Sequence, residues 1–163
     1  MRFLFALVIL LCCNAVALGQ SKLDKTLKRL NNESVPYIYP KNISDTTTVI
    51  LLDTRKKEEY DISHLKNAIW VGDKAFKPNL VLEQIPDKEK SIIVYCSIGV
   101  RSEDIGEKLL ALGYKDVKNL YGGIFQWKNE NGVIYNNKEQ PTDSVHAFSK
   151  HWGKLLLKGV KVY

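Results

Sequence analysis

Cysteine and methionine are scarce in this chain of 163 residues, with three of the first and one of the second. A disulfide scaffold is therefore excluded. No dense run of charge of one sign occurs. Lys and Arg total 24 against 18 Asp and Glu, a net charge of +6, and the two signs interleave in stretches such as Arg55-Lys56-Lys57-Glu58-Glu59. Without a dense basic stripe, no nucleic acid is expected among its partners. Repeats and low-complexity segments are absent, which excludes a solenoid or a disordered chain. His146 and His151 stand five apart, so they do not share a helix face, and no metal site is expected. With 45% hydrophobic and 26% charged residues, the composition is that of one globular domain.

One segment stands out from that composition. Arg2 is the only charge before an apolar run from Phe3 to Cys13, and Ala15 to Gly19 are mostly small. This layout predicts a secretory signal peptide over residues 1–19, cut after Gly19 to leave Gln20 first. The protein is then exported, periplasmic or secreted, with no membrane contact after cleavage. The alternative is a membrane anchor through residues 3–19, for which the apolar run is short. Cleavage removes Cys12 and Cys13 and leaves Cys96 as the lone thiol. It is then buried filler, an intermolecular link or a reactive group, and local context decides.

Three segments follow. Residues 20–47 hold an amphipathic helix, with Leu23, Leu27 and Leu30 on one face, and a polar connecting loop from Asn32 to Thr47. Residues 48–135 alternate strands (Thr48–Leu52, Ala68–Val71, Ser91–Tyr95, Val117–Tyr121) with helices (Asn79–Ile85, Ser102–Leu112, Gly123–Asn129). Short, near-continuous apolar strands between helices predict an α/β fold, a largely parallel sheet covered on both faces. Residues 136–163 form a C-terminal extension on the same domain, with a helix expected from Asp143 to Gly159. Two Asn-x-Ser patterns, at Asn32 and Asn42, are short enough to arise by chance and decide nothing.

The chemistry concentrates at Cys96-Ser97-Ile98-Gly99-Val100-Arg101-Ser102, where a buried strand ends, a loop turns and a helix begins. Loop N–H groups and the positive end of the helix converge there on Cys96. Gly99 supplies an unusual backbone conformation and Arg101 a full positive charge. Together they favour thiolate over thiol, below the free value of about 8.5. The first-turn acids Glu103 and Asp104 are expected to point outward. Such a loop is an anion site built over a nucleophile.

This loop resembles the active-site loop of single-domain rhodaneses, the thiosulfate and persulfide sulfurtransferases. The resemblance extends to Leu51-Leu52-Asp53-Thr54-Arg55 with Glu58-Glu59-Tyr60, to His64-Leu65-Lys66-Asn67-Ala68, and to Leu120-Tyr121-Gly122-Gly123 with Trp127. Ser63 and Asn67 stand where the family often has glycine, at positions that shape a turn. The resemblance implies a rhodanese-like fold and no cofactor. It implies that Cys96 takes a sulfane sulfur from thiosulfate or a persulfide and passes it to a thiol or cyanide. Ser97, Ile98, Gly99, Val100 and Ser102 would supply loop amides, and Arg101 would bind the anionic donor, so that losing Arg101 weakens binding and leaves the fold intact. Asp53, Arg55, Glu59 and His64 are assigned to the scaffold, with Arg55 pairing to Glu58 or Glu59. The chain is expected to act as a monomer.

Two rivals remain. Cysteine phosphatases also place Cys and Arg at the ends of an anion loop, but theirs is one residue longer, and the four residues from Ser97 to Val100 make a cradle sized for sulfur. The other rival is a rhodanese-like module that binds or carries sulfur without turnover. Its relatives commonly lack the cysteine that this chain keeps.

Overall fold

A computed structural model describes residues 22–163. The predicted leader, with Arg2, Cys12 and Cys13, lies outside the described residues.

Helix α1 covers residues 22–30 and buries Leu23 and Leu27, but Leu30, expected on the same face, is half exposed at the helix end. The central sheet is built from β1 (Tyr37–Ile38), β2 (Ile50–Asp53), β3 (Ile69–Trp70), β4 (Ser91–Tyr95) and β5 (Asp116–Leu120). Its order is β1-β5-β4-β2-β3 and every pairing is parallel. The helices between strands are α2 (Lys57–Ile62), α3 (Pro78–Gln84), α4 (Arg101–Ala111) and α5 (Gly123–Asn129).

The pleat explains why the strands are apolar throughout. Along β4, Ile92 and Val94 face one core with Leu52, Val81 of α3, and Ile105 and Leu109 of α4. Ile93 and Tyr95 face the other with Leu51, the α1 leucines, and Ile124 and Phe125 of α5. Alternate residues thus enter cores on opposite faces, each covered by helices, and burying one such side chain contributes about 1.5–3 kcal/mol.

Three expectations are corrected. The segment from Asn32 to Thr47 is not only a loop: it contributes edge strand β1, paired to β5. A further helix, α2, follows β2, where charged residues hide the apolar spacing. The stretch from Asp143 to Gly159 is not helical. After the hairpin of β6 (Ile134–Tyr135) and β7 (Pro141–Thr142), the chain forms β8 (Ser144–His146), a 3-10 turn at Trp152–Leu155 and β9 (Val160–Val162). β8 pairs with β9 in parallel and packs on α2. Phe148 at φ +62° and Gly159 at φ +93° are incompatible with a continuous helix.

The two departures from the family pattern resolve differently. Asn67 takes φ +60°, the left-handed turn that glycine would occupy and that Asn tolerates best among side-chain-bearing residues. Ser63 is extended, at φ −168°, a conformation open to any residue.

Candidate active site

Strand β4 ends at Tyr95 and delivers Cys96 to the carboxyl edge of the sheet, where ligands of open parallel sheets bind. The loop from Cys96 to Val100 is held from outside. Ile124 and Phe125, at the start of α5, donate their N–H groups to the carbonyls of Cys96 and Ser97 at 3.0 and 3.1 Å. Gly123 permits this approach: a Cβ there would lie 2.2 Å from the Cys96 carbonyl oxygen, and its φ is +53°. The Gly99 carbonyl is likewise taken up, by the side-chain amides of Asn31 and Asn119, each at 2.8 Å. With these carbonyls engaged elsewhere, the Gly99 N–H donates to Cys96 Sγ at 3.1 Å.

Cys96 is 1% exposed. Burial pushes its thiol up, but the Arg101 guanidinium, the backbone and hydroxyl of Ser102 and the Gly99 N–H outweigh that, and it titrates below its ordinary value. The Ser102 hydroxyl donates to Asn119 Oδ1 at 2.8 Å, which fixes the orientation of the Asn119 amide. The sequence reading of a depressed thiol at the head of α4 is therefore matched by the geometry around Sγ.

Arg101 is less free than expected. Its Nη1 and Nη2 donate to Glu59 at 2.7 and 2.9 Å, a bidentate pair, and Nη2 also donates to Ser97 Oγ at 3.0 Å. The Ser97 hydroxyl in turn donates to Glu59 Oε1 at 3.0 Å, and the Lys56 amide donates to Oε2 at 3.1 Å. Glu59 is 1% exposed and Arg101 has a side chain 22% exposed. Burial pushes the Glu59 carboxyl up, but its bonds to Arg101 and the charge of Arg55 more than offset this and hold it below its ordinary value. Glu59 therefore belongs to the site as the residue that positions Arg101.

Arg55 corrects a second expectation. It pairs not with Glu58 or Glu59 but with Asp53, two residues back, at 2.6 Å, both side chains fully buried. Its Nη2 also donates to the Ser63 carbonyl at 2.6 Å. Glu59 is engaged by Arg101, and the sealed Asp53 carboxylate needs a cation of its own. His64, assigned to the scaffold, is buried. Its ring stacks on Tyr60, and its nitrogens lie 3.1 Å from the Tyr60 carbonyl and 3.2 Å from Glu139. Of the first-turn acids, Glu103 does not point outward: it is buried and accepts the N–H groups of Asn32 and Ser34 at 2.9 and 3.0 Å.

Above Cys96 opens a cavity of about 190 Å³ lined by Leu30, Ser97, Ile98, Val100, Arg101, Phe148 and Trp152. Ser97, Ile98, Val100 and Arg101 thus line the cavity, while Gly99 and Ser102 lie against the sulfur. Leu30, Asn31, Asn119 and Phe148 are residues the sequence reading did not place here. Each comes from an element far along the chain, and no spacing within the loop signals them.

A parallel α/β sheet with a cysteine-headed anion loop at its carboxyl edge defines the class. The rhodanese-like domain family matches residues 36–130, more than half of the chain, and the protein belongs to that family. It is 34% identical over 100 residues to the adenylyltransferase and sulfurtransferase UBA4 of Candida albicans, covering 58% of this chain and 23% of that one. It is 32% identical over 132 residues to the tRNA uridine(34) hydroxylase of Rickettsia rickettsii, covering 71% and 53%. The chain thus spans about a quarter to a half of the length of these relatives. Among solved structures, BH2092 of Bacillus halodurans superposes with a TM-score of 0.56 at 24% identity, over 69% of this chain and 85% of that one. Thiosulfate sulfurtransferase of Pseudomonas aeruginosa gives 0.56 at 21%, over 87% and 26%. At these identities the structural likeness is one of fold. Among the described residues no helix is long and apolar enough to cross a membrane.

Proposed function

We propose that the protein is a sulfurtransferase that works through a persulfide on Cys96. The observation that carries this reading is a buried thiol held toward its anionic form by the Gly99 N–H at 3.1 Å and the nearby Arg101 charge. The Cys96 thiolate attacks the outer sulfur of thiosulfate. A bond from Sγ to that sulfur forms, the sulfur–sulfur bond of the donor breaks, and sulfite leaves with the bonding pair. The terminal sulfur of the persulfide then carries the negative charge, and the loop amides stabilise it as donors aimed at a developing anion do. A thiolate or cyanide attacks that sulfur, takes it, and returns Cys96 as thiolate. The curated relatives are named for two activities, sulfur transfer and tRNA uridine hydroxylation, and sulfur transfer is the one that a cradled thiolate accounts for. In the same reading the mature chain is exported from near Gln20, on the strength of Arg2 and the apolar run after it. Terminal sequencing of the native protein should return Gln20, and retention of Met1 sinks the export reading.

Incubation with thiosulfate should add one sulfur atom to the protein, release sulfite, and reverse on adding a reducing thiol. Cys96→Ser should lose sulfur transfer altogether while remaining folded by circular dichroism, because a serine hydroxyl stays protonated in this cradle. A folded wild type that gains no mass across several sulfane-sulfur donors leaves a non-catalytic binding module as the function.

A further inference from the structure

The cavity over Cys96 is walled in part by segments outside the family match. Leu30 ends α1, and Phe148 and Trp152 belong to the C-terminal extension, whereas the match covers residues 36–130. Phe148 is 44% exposed and sits at φ +62°, a backbone conformation unusual for an aromatic residue. Its N–H donates to His146 Nδ1 at 3.1 Å, which helps hold that turn. The ring lies 5.2 Å from the Arg101 guanidinium and 5.8 Å from Lys56 Nζ. A strained, half-exposed ring fixed at a cavity mouth serves a ligand better than it serves packing.

The charge available to a ligand is limited in turn. Three of the five N–H donors of Arg101 go to Glu59 and Ser97, and its face meets Phe148. What remains is an amide cradle for one anionic sulfur at the floor and an apolar vestibule above it. A thiosulfate dianion would carry its hydrated sulfonate oxygens into that vestibule, and stripping a charged group of water without pairing it is unfavourable. A donor with an apolar body gains from the same walls. The volume suits a single ring, since apolar cavities of about 150 Å³ take up benzene.

We propose that the sulfur donor is an organic sulfane-sulfur compound with an apolar, ring-sized body, preferred over inorganic thiosulfate, with Leu30, Phe148 and Trp152 as its binding wall. This rests on the sulfurtransferase reading and narrows it. With an aryl thiosulfonate, the Cys96 thiolate bonds to the terminal sulfur, the bond between that sulfur and the sulfonyl sulfur breaks, and an aryl sulfinate leaves with the pair.

The test compares benzenethiosulfonate with thiosulfate as donors to the full-length protein, with one thiol acceptor throughout. The wild type should favour benzenethiosulfonate by at least about tenfold in kcat/KM, the size of effect one well-packed ring supplies. Phe148→Ala and Leu30→Ala, both lining the cavity and both half exposed, should each lower the ratio of the two kcat/KM values several-fold. A wild-type ratio at or below one overturns the inference and leaves the sulfurtransferase reading standing. A ratio unmoved in both folded variants overturns it too. Transfer from neither donor overturns both.

Discussion

Two buried ion pairs sit at the carboxyl edge of the sheet, and they are put to different uses. Asp53 and Arg55 are two residues apart and wholly sealed. Glu59 and Arg101 are separated by 42 positions, and the guanidinium of the second pair is 22% exposed beside a thiol. The chemistry is the same carboxylate–guanidinium contact. Location decides the role: the sealed pair neutralises itself and braces the turn after β2, whereas the outer pair fixes a charge whose field still reaches Cys96. A bidentate contact suits this second use, because it holds the guanidinium in one plane rather than merely nearby.

Breaking the sealed pair should have the largest effect on stability. Arg55→Met strands the Asp53 carboxylate in the core and should cost about 3–5 kcal/mol, read as a lower denaturant midpoint. Replacing both partners by apolar residues should recover most of that loss. If it does not, the pair's other bonds, to the Ser63 carbonyl and the Arg55 amide, carry the stability instead.

Arg101→Ala should act on both stability and rate. The sequence alone suggested an intact fold at full strength, but Glu59 loses two bonds and keeps only the Ser97 hydroxyl and the Lys56 amide. A loss of about 1–3 kcal/mol in stability is expected, with sulfur transfer slowed about ten- to a hundredfold. Arg101→Lys should restore part of each, since the charge survives and the fork does not. Equal stability and kinetics in wild type and Arg101→Ala would dissolve the contrast between the two pairs.

The smallest effect sharpens the comparison most. The Cys96 thiol titrates below its ordinary value, so the thiolate fraction rises earlier as pH climbs than it does for a free thiol. The rate of alkylation should follow that rise and level off before it does for a free thiol. In Arg101→Ala the midpoint should move up, while any variant at Arg55 that still folds should leave it where it was.

Much of this was legible along the chain. The loop after β4 was readable because strand end, glycine, arginine and helix start lie within seven residues. Helix α5 has its predicted bounds and α4 lies one residue from them, both marked by glycines and apolar spacing. Helix α2 was not read, because Glu58, Glu59 and Asp61 dominate it and its stability comes from what Glu59 binds elsewhere. The C-terminal extension misled for the opposite reason. Val145, Phe148, Trp152 and Leu155 recur at three and four like a helix face, yet β8 takes its hydrogen bonds from β9, sixteen residues on. Arg55 was assigned the wrong carboxylate since a partner two residues away matches no helical spacing. Contacts that close across the sheet, such as Glu59 to Arg101 and Asn31 to Gly99, leave no mark within any one segment.

The two amides that grip the Gly99 carbonyl set the direction of a whole peptide plane. A trans peptide points its N–H opposite its C=O, so anchoring the Gly99 oxygen also anchors the N–H of Val100. Glycine at φ +101° is the residue most able to swivel there, and a swivel would turn an oxygen's lone pairs on the sulfur and expel an anion. Asn119 alone would hinder that rotation, and Asn31, arriving from the far end of the chain, doubles the restraint. On the proposed sulfurtransferase reading, the loop dipoles are fixed before any sulfur arrives, and none of the reaction's driving force would be spent on turning them into place.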